Sequence, residues 1–287
     1  MRYLKAYRIF ESDGSLTPLM EEFLNYNTLG SWRINSEGLV DVEGNFRCLT
    51  KIKEMSNLGG IKFGTISGDF TIRGMGFTSL EGCPQKVGGT FDCSHNKLTS
   101  LIGSPQKVKG NFICINNQIE RLDGCPQEVG GTFDCSRNYE VKSLIGGPVK
   151  VGSGYSAANC GLVSLEGCPL TADSLDVEFN ELKNLKGAEK SHIRLMMIEF
   201  NYINSLEGMP RELEDIKGTN NPVSGETLGK IISAMEANPE MGYGAILASL
   251  QSRIPQEDWE KLDKSSLDKM NQSRKRVYGM LGGIGGI

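Results

Sequence analysis

The sequence predicts an α/β solenoid of stacked parallel strands, with an N-terminal cap and a C-terminal helical segment. Three observations predict it. The phrase LEGCPQKVGGTFDCSHNKLTS (80–100) returns as LIGSPQKVKGNFICINNQIER (101–121) and as LDGCPQEVGGTFDCSRNYEVKS (122–143). The leucine that opens each unit recurs at Leu80, Leu101, Leu122, Leu144, Leu165, Leu185 and Leu206, in steps of 20 to 22 residues. Each unit also holds an alternating stretch with an apolar pair, such as Phe91 and Cys93, Phe112 and Cys114, or Phe133 and Cys135. A fixed period of this length marks a solenoid, and alternation marks a strand with one buried face.

Two residues after each leucine stands a glycine, from Gly82 and Gly103 to Gly187 and Gly208, and two further on a proline, with Glu189 the one exception. These residues punctuate the turns of the coil. The inward pairs continue as Tyr155 and Ala157, Leu175 and Val177, and Met196 and Ile198. Stacked turns then form a parallel sheet with strands roughly 4.8 Å apart. One turn buries about five apolar side chains at ~1.5–3 kcal/mol each. Ordering its residues costs ~1–2 kcal/mol apiece, so a lone turn does not fold and neighbours must supply the missing burial.

An asparagine stands two residues before the next apolar position at Asn96, Asn117, Asn180, Asn201 and Asn221; Cys160 takes that slot once, and Asn138 belongs to a turn with one inserted residue. Asparagines stacked in this way are expected to bond backbone groups left open where the strands end.

Taken in order, residues 1–33 read as a cap, in which Pro18 opens a short helix over LMEEFLNY and Leu19, Phe23 and Leu24 cover the first rung. MRYLKAYRIFES before it reads as further cap structure or as a docking peptide. Residues 34–223 form the solenoid. It starts with a short strand between Gly38 and Gly44 and another over Phe46–Cys48, and Phe70 and Ile72 follow as an inward pair. Pro222 stops the pattern, Ser224 can cap the next helix, and 224–287 reads as three helical stretches with a Gly-rich tail. The first, GETLGKIISAMEA, places Leu228, Ile231, Ile232 and Met235 on one face.

The motif F-x-C-S-x-N-x-L-T-S-L-x-G resembles the leucine-rich repeat, L-x-x-L-x-L-x-x-N-x-L, and is closest to the short bacterial type and to tandem repeats of bacteriophage proteins. The resemblance covers about Ile34 to Val223. It implies a phage or bacterial origin, in the infected cell or in the particle. The spacing V-G-G-T-F (Val87 to Phe91) holds one more residue than L-x-x-L, which predicts a bulge or a wider corner there.

Net charge is −4, which makes no global case for nucleic acid or acidic membranes. No signal peptide and no run of 18 apolar residues is seen, so cytoplasm of a host cell or a virion is expected. The eight cysteines fall mostly into repeat columns: Cys93, Cys114 and Cys135 in one, Cys83, Cys125 and Cys168 in another interrupted by Ser104 and Gly147. Rungs at strand spacing exceed the ~3.8 Å Cβ separation of a disulfide, so free, buried thiols are expected. With no C-x-x-C pair and two histidines, no metal site is expected. Gly88-Gly89 and Gly130-Gly131 recur with the period and read as corners, not phosphate cradles. No catalytic set and no cofactor site is read; Arg274-Lys275-Arg276 reads as a solvated helix end.

The outward strand positions form columns: Asp92, Ile113, Asp134, Ser156, Asp176, Met197; then Ser94, Ile115, Ser136, Ala158, Glu178, Glu199; then His95, Asn116, Arg137, Asn159, Phe179, Phe200. The candidate partner surface comprises Ile113, Ile115 and Arg137, with Glu178, Phe179, Leu195, Met197, Glu199, Phe200 and Tyr202 on later turns. Exposed aromatics rimmed by charge mark interfaces, unless the C-terminal helices fold back over them. The function expected is a non-enzymatic protein-interaction module; the alternative is a virion or tail-associated component in multiple copies. Its partners would be a protein of unknown identity, further copies of the chain or virion proteins.

Overall fold

The computed structural model describes residues 16–49, 56–58, 60–210 and 213–265. Helix α1 (Pro18–Asn27), with Pro18 in its first turn, leads directly into strand β1 (Thr28–Ile34). Its buried residues are Met20, Phe23, Leu24 and Asn27, so Met20 takes the place expected of Leu19. β1 pairs antiparallel with β2 (Val40–Arg47) from Thr28↔Phe46 to Ile34↔Val40. Asn35 closes the hairpin, its Oδ1 accepting from the N–H groups of Glu37 and Leu39.

β2 corrects two expectations. It runs unbroken through Gly44, which does not end a strand. Gly44 (φ +122°) lies opposite Gly30 (φ +134°), and a Cβ at Gly44 would fall 2.1 Å from the Leu29 carbonyl oxygen. The glycine pair lets two backbones approach where a side chain would collide. β1 itself has no copy in the repeat and was not foreseen.

From β2 onward the chain forms a parallel solenoid of about eight turns. One ladder comprises β3 (Phe63–Ile66), β5 (Lys86–Val87), β7 (Lys107–Val108), β9 (Glu128–Val129) and β11 (Lys150–Val151). The other comprises β4 (Phe70–Thr71), β6 (Phe91–Asp92), β8 (Phe112–Ile113), β10 (Phe133–Asp134) and β12 (Gly154–Ser156). They join at β2, which bonds both β3 and β4, and again at β13 (Thr171–Asp176), which bonds both β11 and β12. β14 (His192–Met197) and β15 (Asp215–Lys217) continue the stack.

Residue spacing explains why the sheet splits and closes again. Val87 and Phe91 stand four positions apart, as do Val108 and Phe112, or Val129 and Phe133; Ala172 and Leu175, like Ile193 and Met196, stand three apart. The extra residue breaks the strand at the corner, and its loss yields the unbroken six-residue β13 and β14. Turns pass very close there: a Cβ at Gly88 would lie 2.1 Å from the Ser67 carbonyl oxygen.

The core is a column of rings. Phe46, Phe70, Phe91, Phe112, Phe133 and Tyr155 follow one another at centroid separations of 5.0, 5.8, 5.1, 5.5 and 4.8 Å, all of them fully buried. Beside it runs the asparagine ladder. Asn117 Nδ2 donates to the carbonyls of Cys93, one turn back, and Cys114, three residues back, while its Oδ1 accepts from Leu98 N–H. Asn96, Asn138, Asn180, Asn201 and Asn221 repeat the pattern. Each amide satisfies backbone groups of two turns at once, in a core where an orphaned group costs ~1–3 kcal/mol.

None of the eight cysteines forms a disulfide, and seven are buried. Burial pushes the thiols of Cys83, Cys93, Cys114 and Cys125 well above their ordinary range.

Helices α2 (Gly225–Ala237), α3 (Tyr243–Leu250) and α4 (Gln256–Lys261) follow the last strand. Ser224 caps α2, its Oγ accepting from Thr227 N–H. Leu228 and Ile231 are buried, and Ile232 and Met235 are partly so. Asp258 of α4 ties back to this helix start, accepting from Ser224 Oγ and, at 2.5 Å, from Thr227 Oγ1. No helix among the described residues is long and apolar enough to cross a membrane. MRYLKAYRIF, Arg274-Lys275-Arg276 and the Gly-rich tail lie outside the described residues.

Candidate partner-binding surface

Each turn of the solenoid leaves its strand through one residue with left-handed backbone. His95, Asn116, Arg137, Asn159, Phe179, Phe200 and Asn220 have φ between 54° and 62°. The conformation costs roughly 1–2 kcal/mol for most side chains, and asparagine tolerates it best. Asparagine fills three of the seven positions. Phenylalanine, bulky and without a local hydrogen bond to offer, is the least expected occupant, yet it stands at two consecutive ones.

Those two rings stack on each other. Their centroids lie 4.2 Å apart with planes 8° from parallel. Phe179 remains 50% exposed and Phe200 45% exposed. The described C-terminal helices leave them open. They meet the final turn elsewhere, through Asp263 N–H to the Asn204 carbonyl and Leu206 N–H to Tyr243 Oη.

Immediately before each ring stands a glutamate. Glu199 accepts from Thr219 Oγ1. That bond, and a second from Glu178, hold its carboxyl below the usual range. Glu178 is pushed up to about 7, by its burial first and then by its hydrogen bond to Glu199, with Asp176 adding repulsion and Lys217 opposing it. Asp176 Oδ1 accepts from Glu178 N–H and fixes the backbone there. Leu195 and Met197, on β14, are half-buried on the same outward face.

The structure separates the other candidates. Ile113 pairs with Asp134, Asp134 with Ser156, and Ser156 with Asp176. Ile113 and Ile115 therefore lie three strand steps, roughly 14 Å, from the turn of Glu178, and both are half-buried. Arg137 is exposed on the corner column, two turns before Phe179. Tyr202 lies past buried Asn201 on the far side of the corner, where it is exposed. Ser94, placed with the outward positions, is fully buried.

Comparison with protein-family models, with curated proteins and with solved structures returned no match.

Sequence reasoning missed Thr219, which anchors Glu199, and the left-handed backbone of the whole corner column. The recurrence of asparagine at 116, 159 and 220 was the available signal. Among the described residues, no group of three or more His, Cys, Asp and Glu side chains is placed to hold a metal.

Proposed function

We propose that this chain is a non-enzymatic protein-interaction module, a leucine-rich-repeat solenoid of the short bacterial or bacteriophage type whose strand face receives a partner. The ends carry caps: α1 at the first rung and α2–α4 at the last. The repeat reading is supported by the later turns, where Ala172, Leu175, Val177, Asn180 and Leu182 reproduce L-x-x-L-x-L-x-x-N-x-L with its apolar positions and its asparagine buried. The interaction reading rests on one observation: two stacked phenylalanines stand exposed on backbone that disfavours them. Strain kept at the surface, with no gain in core burial, points to a role outside the fold. A rigid sheet also binds with little ordering cost. The test is quantitative mass spectrometry of proteins co-purified from the native source. Glu178→Lys, Glu199→Lys and Phe200→Ala together are expected to remove at least one protein that the unaltered chain retains; full retention refutes this surface.

A second reading, a structural virion or tail-associated component in several copies, draws on the other end of the chain. There Tyr26 in the last turn of α1 and Leu29 and Ile34 on β1 are exposed. Light scattering at high concentration decides it, because a strict monomer excludes self-assembly.

A further inference from the structure

We infer that the Phe179–Phe200 stack, with the Glu178–Glu199 carboxyl pair beside it, receives an arginine side chain from a partner protein. This deepens the interaction reading and rests on it. The rings stand on consecutive turns and lie parallel at 4.2 Å, close to the spacing of the turns, so the stack runs along the solenoid axis. Its two free faces therefore look toward the neighbouring corner residues, Asn159 and Asn220. Both side chains are too short to lie across a phenyl ring, and Asn220 Nδ2 is turned to Thr219 Oγ1. The stack is thus open to a third planar layer. A guanidinium supplies that layer, since it is planar, weakly hydrated and attracted to an aromatic face.

The charge beside the stack fits the same group. Among the described residues, the charges that act on Glu178 are the carboxylates of Asp176 and Glu199 and a single ammonium, that of Lys217. Glu199 is already engaged by Thr219, so Glu178, next in the chain to Phe179, is the carboxyl left to meet the cation. A guanidinium stacked on Phe179 can bond that carboxylate with a planar fork of N–H donors. The proton that Glu178 shares with Glu199 then leaves to solvent, which couples binding to pH near neutrality.

The experiment uses the full chain and twelve-residue Gly/Ser peptides carrying three arginines or three citrullines, with affinity measured by calorimetry at pH 6 and pH 8. The arginine peptide is expected to bind about fivefold or more tighter than the citrulline peptide, a factor equivalent to roughly 1 kcal/mol. Phe179→Asn with Phe200→Asn leaves every charge in place and installs a residue that already fills this position on other turns. It is expected to erase that preference while the thermal midpoint does not fall below that of the unaltered chain. Affinity for the arginine peptide is expected to rise from pH 6 to pH 8, and to lose that dependence in Glu178→Gln. Equal binding of the two peptides, or arginine binding unchanged in the double asparagine variant, overturns the inference. So does a tenfold gain on changing Arg274, Lys275 and Arg276 to serine, which assigns the stack to the chain's own basic run. A native partner that needs Phe179 and Phe200 yet tolerates loss of its own arginines leaves the interaction reading standing and refutes this one.

Discussion

The hydroxyl of Tyr155 occupies the space that a side chain at position 147 would need. A Cβ built on Gly147 would lie 2.6 Å from Tyr155 Oη. Five preceding turns place phenylalanine where Tyr155 stands, and the facing column reads Cys83, Ser104, Cys125, Gly147, Cys168. The two exceptions are one event: the ring that gained an oxygen faces the position that lost a side chain. The oxygen itself is fully buried with no hydrogen-bond partner, and burial pushes the phenol well above its ordinary range.

Gly147→Ala is therefore expected to destabilise the chain by ~1–3 kcal/mol through overpacking. Tyr155→Phe is expected to stabilise it by about 1 kcal/mol or more, because it removes an unpartnered buried hydroxyl. Added to Tyr155→Phe, the alanine should cost much less than it does alone. Urea titration of the four species reads the coupling, and simple additivity would contradict the account.

The asparagine ladder makes a second paired exception. Elsewhere along the ladder the apolar residue's N–H is received by the asparagine of the following turn, as Leu98 N–H is by Asn117 and Ile119 N–H by Asn138. Val141 N–H instead bonds back to the Asn138 carbonyl at 3.1 Å, across the inserted residue. The next slot then has no N–H to receive and holds Cys160, whose Sγ donates to the Cys135 carbonyl. Asn117→Ala should cost ~1–3 kcal/mol, since it orphans Leu98 N–H and leaves the Cys93 and Cys114 carbonyls only the amides of Asn96 and Asn138, while Cys160→Ala should cost less than half of that. Deleting Glu140 should destabilise the chain, and adding Cys160→Asn should recover most of the loss. Chemical denaturation that shows no such recovery would sink the pairing.

Two carboxyls should give the stability curve opposing slopes. At Asp258 burial raises the carboxyl, but hydrogen bonds from Ser224 and Thr227 outweigh it and leave it below its ordinary value. Its contribution is present above the ordinary aspartate range, near 3.9, and is lost as pH falls through the lower folded value. Glu178, pushed up to about 7, binds its proton more tightly when folded. Its term therefore strengthens as pH falls from about 7 toward the ordinary glutamate range near 4.3. The thermal midpoint should peak at mildly acidic pH. Glu178→Gln should flatten the limb between that peak and neutrality, and Asp258→Asn the acid limb. A profile in Glu178→Gln identical to that of the unaltered chain would refute the carboxyl pair.

Much of the site could be named from sequence but not assembled. Phe179, Phe200, Glu178 and Glu199 were legible as outward positions because strand alternation and a fixed period assign each residue its column. That the two rings stack, that their backbone is left-handed, and that Thr219 secures Glu199 depended on side-chain directions at a corner, where alternation no longer operates. Ile113 and Ile115 looked equivalent to the aromatic patch in a list of columns, and three strand steps of real distance set them apart.

By itself the sequence determined whatever repeats: the solenoid, the buried ring column, the asparagine ladder and the columns of buried thiols. A residue whose counterpart stands one period away meets that counterpart in the next turn, so periodicity is already a statement about contact. The tertiary structure alone decided what happens between unlike columns and where the period fails. The β1–β2 hairpin, the splitting and rejoining of the two ladders, and the fit of Tyr155 against Gly147 are of this kind. Those contacts join residues at separations the repeat does not encode, and only the closed coil brings them within reach.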